Sequence, residues 1–498
     1  MFPALDEDLH FGYQLTGSLV VARGAEDEAF LDELVERGKT NVRRSPQGSQ
    51  SPGSRRVAHH GILGSAAQGV RNLRIVRGAE LKQMEPNLDE AATAALLSPD
   101  AGTLIPYEYN IALAENAADN GVEVRIRRMV SKIGKTADGH FEIGTEHWEP
   151  KKYVAEQQSK EGGLAGLWSK MSNGGSAPSE GLGNYFGGGP GEGGPWDKFP
   201  ALVRGEQNVK IEDMKVGGSG SIRAMDGVVV ERESIRARYV VNCAGGASDK
   251  IAKMIGDDSF TIKPRLGEYV LLKKSSGGAC NHILFPCPGP YGKGILVQKT
   301  LWGNLILGPT ARDQHEWPDP NVDPDSKEEI LQTILSNCKK LIPSFDMADT
   351  FHSFAGARAK SSRGDWIIER SAADGDMIHA AGIDSPGIAG SPAIALEVVD
   401  LLREAGFDAP ADPTFNPKRA PIILPKNGDD GLIYHEGDDK TQVNAGGAAP
   451  EANVVCKCEK VTEAEIVEAC RRSLPIDSTQ AMRKRNRAGM GGCQGKPW

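Results

Sequence analysis

Three cysteines near the end of the chain are spaced to gather one metal centre. Cys456-Lys457-Cys458 sets two thiols on one tight turn, and Cys493, within Arg487-Ala488-Gly489-Met490-Gly491-Gly492-Cys493-Gln494-Gly495, adds a third after a helix-like stretch. Thiolates so placed hold iron–sulfur clusters, and the same spacing accepts zinc, so spacing alone leaves both chemistries open. Cys470, inside the helical run Glu463 to Arg472, is expected to pack as a small buried hydrophobe. A second chemical feature is Gly382-Ile383-Asp384-Ser385-Pro386-Gly387-Ile388, between an apolar strand, Met377 to Ala381, and a helix, Ser391 to Leu402. A strand, a Gly-rich turn and a helix start together present free backbone N–H groups and the positive end of the helix dipole, which suits negative charge.

These residues need elements to carry them. Gly17 to Ala22 is an apolar β-prone run, and Glu26 to Gly38 repeats apolar residues at helical spacing. Residues 41–69 are rich in Ser, Gly, Pro and Arg and are expected to form a loop or insertion. A strand at Leu73 to Val76, a helical turn at Gly78 to Met84, a helix at Tyr109 to Asn120 and a strand at Val122 to Ile126 follow. Between about 151 and 221 the Gly- and Pro-rich composition cannot bury enough apolar surface to offset chain entropy, so a disordered insertion is expected there. Regular structure resumes at Gly227 to Glu231 and at Ala237 to Gly245, and Pro410, Pro413, Pro417, Pro421 and Pro425 mark a linker.

The chain has 498 residues, enough for two or three domains. A net charge of −9 argues against non-specific nucleic-acid binding. Arg471, Arg472, Arg483, Lys484, Arg485 and Arg487 do cluster, which suits a solvated face or a docking face. Eight cysteines are too few for a disulfide scaffold in so long a chain and suit a reducing, cytoplasmic location. No apolar run reaches membrane-spanning length, and the acidic N-terminal residues have no features of a targeting peptide.

Several words carry family resemblances. Glu459-Lys460-Val461-Thr462-Glu463-Ala464-Glu465-Ile466 and Arg487 to Gly495 closely resemble the bacterioferritin-associated-ferredoxin-like domain. That resemblance implies a 2Fe-2S cluster on Cys456, Cys458 and Cys493; the family's fourth cysteine is not found after Cys493-Gln494-Gly495, so an incomplete or labile site is expected. The β-run ending Asn242-Cys243-Ala244-Gly245 resembles a strand of the FAD-dependent D-amino-acid-oxidase-like superfamily, closest to glycerol-3-phosphate-dehydrogenase-like and 2-hydroxyglutarate-dehydrogenase-like members. Small residues there let backbone pass close to a flavin nucleotide. Lys263 to Tyr269, Asn281 to Pro286 and Gly303 to Thr310 follow in the order expected of that family's substrate-domain sheet.

The resemblance implies FAD, with Ala244, Gly245 and the turn Gly382, Ile383, Asp384, Ser385, Pro386, Gly387 and Ile388 against it. It also implies a substrate-binding arginine at Arg358, whose alternative is a structural ion pair; Arg265 and Tyr107 are further candidate substrate contacts. Arginine's planar fork suits bidentate capture of a carboxylate or phosphate. His282 is either the general base or a hydrogen-bonded structural residue. The family's opening strand–GxGxxG–helix unit is not among these residues, which puts the strength of FAD binding in question. The expected fold is α/β. An interrupted FAD-binding domain (99–150, 222–258 and 365–405) is interleaved with an antiparallel-rich substrate domain (12–98 and 259–355). Together they make residues 12–405, followed by a 406–450 linker and a small helical domain at 451–498.

Two functions follow. One is a flavoenzyme oxidising glycerol 3-phosphate or a 2-hydroxy acid, a small anionic substrate, and passing electrons through the cysteine domain to a quinone or redox protein. The other is a non-catalytic family member without a competent FAD site.

Overall fold

The computed structural model describes residues 1–40, 72–150, 217–218, 227–288, 294–314, 325–422, 454–476, 478–491 and 495. Its largest element is a ten-stranded sheet. The strands run in the order Arg74–Arg77, Ala94–Ser98, Ser18–Ala22, Ile283–Pro286, Leu296–Lys299, Leu305–Gly308, Ile262–Leu272, Thr350–Ser361 and Gly217–Gly218, and Arg312–Asp313 also pairs with Ile262–Leu272. Most pairs are antiparallel, and Ser18–Ala22 runs parallel to Ile283–Pro286. Apolar residues alternate along these strands, so one face carries Leu19, Val21, Val270, Leu272, Leu284, Val297, Leu305 and Leu307 into the core. The helix Asp325–Lys339 covers them with Leu331, Ile334, Leu335 and Cys338, the i, i+3, i+4, i+7 stripe of an amphipathic helix. Each such side chain contributes about 1.5–3 kcal/mol on burial.

A second sheet of three strands, ordered Val240–Asn242, Met377–Ala381, Ile367–Arg370, pairs its first two strands in parallel and its last two antiparallel. Met377–Ala381 is buried along its whole length, as expected of a central strand. The chain alternates between the two sheets: the large sheet draws on segments before residue 99, on Gly217–Gly218 and on segments after 261, and the small sheet on strands between 240 and 381. A separate antiparallel sheet joins Arg128–Lys135, Phe141–Pro150 and Gly227–Ala237.

The small C-terminal unit has two short antiparallel strands, Val454–Cys456 and Val461–Thr462, and two helices, Glu463–Arg471 and Thr479–Asn486. Thr462 and Glu465 form a reciprocal capping box that starts the first helix, and Ser478 caps the second. This unit docks on the helix Pro106–Asp119. Glu115 there is buried and meets Arg485, Arg419 at 2.8 Å and Arg472 at 3.6 Å. Arg419 also reaches Glu108 at 3.6 Å. The basic cluster is in part a docking face, turned toward the chain's own body. Arg419 belongs to the segment expected as a linker; its backbone N–H donates to the carbonyl of Asp8 at 2.7 Å, so this part of the segment is fastened.

Three expectations need correction. Val122 to Ile126 forms no strand; the ladder begins at Arg128, and Val122, Val124 and Ile126 remain exposed because no neighbouring strand pairs with them among the described residues. Cys470 is exposed, since the buried stripe of its helix falls on Glu465 and Ala469. Arg472, expected inside that helix, is its C-cap. The 41–69 loop and nearly all of the 151–221 insertion lie outside the described residues; Gly217–Gly218 is a short strand beside Phe354 and Ala355.

Candidate active site

Two predicted turns meet at one end of the small sheet. Asn242 and His379 are partners in the parallel ladder, so the 243–245 turn and the 382–388 turn leave adjacent strands in the same direction. Ligands of open α/β sheets bind outside the carboxyl ends of parallel strands. Gly245 has φ +55 and no atom within 4 Å of where a Cβ would sit, leaving bare backbone. Gly382 has φ +63, and a Cβ there would lie 2.5 Å from Cβ of Ser361, so only glycine lets the turn come this close.

The helix Gly387–Glu404 then starts behind Pro386 with no side-chain cap bond, so its first N–H groups have no capping side chain. Asp384 has φ +59, and its Oδ1 is buried with no hydrogen-bond partner among the described residues. Unclaimed N–H donors beside an unclaimed carboxylate oxygen fit a group carrying both anionic oxygens and hydroxyls, as FAD does. Ala244, Gly245 and residues 382–388 would hold it.

The same turn is joined to the strand that carries Arg358. The Asp384 N–H donates to the Ala359 carbonyl at 3.2 Å, and Ile383 bridges Lys360. Arg358 stands directly opposite Arg265 in the antiparallel ladder, with Gly267 and Tyr269 on the same face by strand alternation. The Arg358 guanidinium lies over Gly267: a Cβ there would collide with Nη2 and stand 3.1 Å from Cζ. Nη2 donates to the Thr310 carbonyl at 2.9 Å.

Burial raises the Tyr269 phenol pKa, and the charge of Arg358 opposes the rise. Its ring stacks on Phe354 with centroids 4.9 Å apart. Arg265 has Asp313 at 3.5 Å, but Asp313 is also bonded to Lys360 at 2.7 Å. Lys360 first, and then Arg265, hold the Asp313 carboxyl below its ordinary range. Facing like charges are destabilising unless neutralised; Asp313 answers Arg265 and Lys360 while Arg358 faces Arg265 in the ladder, so the excess positive charge favours an anionic occupant.

His282 and Tyr107 do not join this group. His282 lies two residues before Leu284, and the ladder rows carry that level across Lys299 and Leu305 to the Leu272 end of the Ile262–Leu272 strand. Arg265 is three strands over and seven residues back, about 14 Å across and 23 Å along at ordinary sheet spacing. His282 Nδ1 pairs with Glu85 Oε1 at 2.8 Å, and Glu85, fully buried, also takes the backbone N–H groups of Asn281 and His282. Of its two expected roles, this contact fits the structural one. Tyr107 packs with Ile105, Leu301 and Trp302, and its hydroxyl is 3.9 Å from Sδ of Met490. It belongs to the contact with the C-terminal unit, where Arg487 lies 3.7 Å above the Trp302 ring and bonds Glu459 at 2.9 Å.

Cys456 and Cys458 flank the turn after Val454–Cys456, and the Gly489 N–H donates to Cys456 Sγ at 3.3 Å. Cys493 lies outside the described residues, and among the described residues no group of three or more His, Cys, Asp or Glu is arranged to hold a metal. Sequence reasoning missed Tyr269 and Gly267 as parts of the arginine site. The alternation Arg265-x-Gly267-x-Tyr269 was the available signal, since it puts all three on one face once the run is a strand.

The model of the family DAO, FAD dependent oxidoreductase, matches residues 1–156 and 207–401. The chain is 28% identical over 495 residues to a glycerol 3-phosphate dehydrogenase of Caloramator mitchellensis, covering 99% of this chain and 77% of that protein. It is 24% identical over 245 residues to the mitochondrial L-2-hydroxyglutarate dehydrogenase of Bos taurus, covering 40% of this chain and only 53% of the relative. Among solved structures, the dithionite-reduced L-alpha-glycerophosphate oxidase of Mycoplasma pneumoniae, with FAD bound, aligns with a TM-score of 0.55 at 20% identity, covering 83% of this chain and 78% of that one. The last likeness shows a shared fold. With a family model spanning most of the chain, the chain belongs to the DAO family of FAD dependent oxidoreductases.

Proposed function

We propose that this protein is an FAD-dependent dehydrogenase that oxidises glycerol 3-phosphate, or a closely similar anionic hydroxy compound such as a 2-hydroxy acid. The observation that carries the reading is the Arg358 clamp, held over Gly267 and joined through Ala359 and Lys360 to the 382–388 turn. An anion bound there sits beside the flavin-side turn. Arg358 offers the fork that matches a phosphate or carboxylate, Arg265 adds charge, and Tyr269 lies on the same strand face as Arg265. When bound, FAD supplies the two-electron acceptor for the CH–OH carbon. We assign His282 to its pair with Glu85 rather than to proton abstraction, because it stands at the far end of the sheet from Arg358. Glycerol 3-phosphate is preferred because the similarity to the Caloramator dehydrogenase runs through nearly the whole chain, while the L-2-hydroxyglutarate relative covers less than half of it.

Cys456, Cys458 and Cys493 are proposed to hold a 2Fe-2S centre that passes electrons to a quinone or a redox protein. The N–H of Gly489 on Cys456 Sγ supports this, since hydrogen bonds to sulfur tune thiolate-held clusters.

The test is Arg358→Lys in flavin-loaded protein, with glycerol 3-phosphate and a set of 2-hydroxy acids and an artificial electron acceptor. A point charge cannot reproduce two parallel hydrogen bonds, so kcat/KM should fall at least about tenfold for the preferred substrate. Unchanged kinetics would return Arg358 to a structural role and remove the substrate assignment.

A further inference from the structure

A fully buried polar chain runs behind the 243–245 turn and plays no part in the clamp. Asn242, His379 and Asp257 are 3%, 0% and 3% exposed. The Asn242 Nδ2 group donates to the Ser248 carbonyl at 2.9 Å and lies 3.1 Å from His379 Nδ1, while its Oδ1 accepts the Ala244 N–H at 3.3 Å. On the other side of the ring, His379 Nε2 is 3.2 Å from Asp257 Oδ2. Asp257 also accepts from the Ser371 hydroxyl and from the N–H groups of Ser259 at 3.0 Å and Ala372 at 3.2 Å. The Phe260 ring meets the imidazole edge-on with centroids 5.2 Å apart.

Donor and acceptor roles are set by the ends. Two backbone groups fix the Asn242 amide, since Ala244 needs an acceptor and Ser248 needs a donor. Nδ2 therefore donates to His379 Nδ1, which must be unprotonated, and the ring proton sits on Nε2, pointing at Asp257. Along the line Ala244–Asn242–His379–Asp257 each hydrogen bond is donated toward Asp257.

We infer that Asp257, His379 and Asn242 form a directional relay that sets the 243–245 turn, making them positioning residues for the flavin-side end of the small sheet. The functional part of this inference rests on the FAD reading above, and the relay itself does not. Asn242 is the last residue of its strand, and the next residues, Cys243, Ala244 and Gly245, are exposed at the place where bare backbone is offered. Without the relay the Asn242 amide can rotate, releasing the Ala244 N–H and with it the shape of the turn.

Two variants of the full chain separate the relay from simple packing. His379→Gln can keep an N–H toward Asp257 and a carbonyl toward Asn242, while His379→Leu fills similar volume and keeps neither. FAD titration by fluorescence quenching is expected to show at least tenfold weaker binding for the leucine variant and binding within about threefold of the parent for the glutamine variant. Amide exchange at Ala244, read by mass spectrometry on flavin-free protein, should accelerate in the leucine variant alone. Long-range nitrogen–proton spectra of the unsubstituted, histidine-labelled protein should show His379 as the neutral Nε2–H tautomer. An Nδ1–H tautomer, an imidazolium, or equal behaviour of the two variants would overturn the relay. If the parent binds no FAD, the functional reading fails, and the tautomer and the Ala244 exchange still decide the relay.

Discussion

Adding one methyl group at Gly267 should disable the substrate clamp without unfolding the protein. Gly267 lies within a strand at no positive φ, so alanine is acceptable to the backbone. The new Cβ would stand 3.0 Å from Cβ of Pro309 and 3.1 Å from Cζ of Arg358, and nearer still to Nη2. Comfortable heavy-atom contact begins at about 3.5 Å, so the guanidinium, the flexible member, must withdraw by on the order of 1 Å. That movement strains or breaks its 2.9 Å bond to the Thr310 carbonyl.

A hydrogen bond to a charged group contributes about 1.5–3 kcal/mol, equivalent to about 10–100-fold in rate if the bond orients the group in the transition state. A misplacement of about 1 Å at a positioning group has a similar cost. Gly267→Ala is therefore expected to lower kcat/KM by about 10–100-fold, with a thermal midpoint within a few degrees of the parent. Gly134→Ala, where no atom lies within 4 Å of the added methyl, is the matched control. Steady-state kinetics and a melting curve on both variants suffice. Should Gly267→Ala keep parental kcat/KM at a parental midpoint, the guanidinium does not sit where substrate is held, and the clamp is refuted.

Two further outcomes follow from the docked C-terminal unit. Burial raises the Glu108 carboxyl to about 7 against the lowering pull of Arg419 and Arg485, so the folded protein holds a proton that the unfolded chain releases near its ordinary value of 4.5. Its stabilising effect is complete below pH 4.5 and is lost as pH rises through about 7; Glu108→Gln should flatten this part of a urea-denaturation profile, by on the order of 2–3 kcal/mol, and an unchanged slope would exclude Glu108 as its source. Metal analysis after anaerobic purification should find iron and acid-labile sulfide together, both lost in Cys456→Ser; zinc alone would make the unit structural.

The sequence carried most of the architecture because its signals are local. Family resemblance placed Lys263 to Tyr269 in the large sheet, the helix expected at Ser391 to Leu402 is seen as Gly387–Glu404, and the Asn242 to Gly245 and Gly382 to Ile388 words marked two turns in which Gly245 and Gly382 adopt positive φ. Arg358 was singled out through its family word, and its substrate role is the proposal made above. Chain order could not say which distant residues share a strand row. Ladder register sends His282 to the opposite end of the large sheet from Arg358, and Tyr107, on a helix, packs with Ile105, Leu301 and Trp302 instead.

Burial was equally hidden. Arg472 and Arg485 look like surface charge until Glu115, more than 350 residues earlier, meets them across the docked unit. The Asn242–His379–Asp257 relay spans two strands and a loop that only parallel pairing brings into contact. Local pattern depends on each residue's own backbone preferences and near neighbours, so the sequence determines it directly; the placement of charge against charge depends on register and packing between remote segments, and tertiary structure alone decides it.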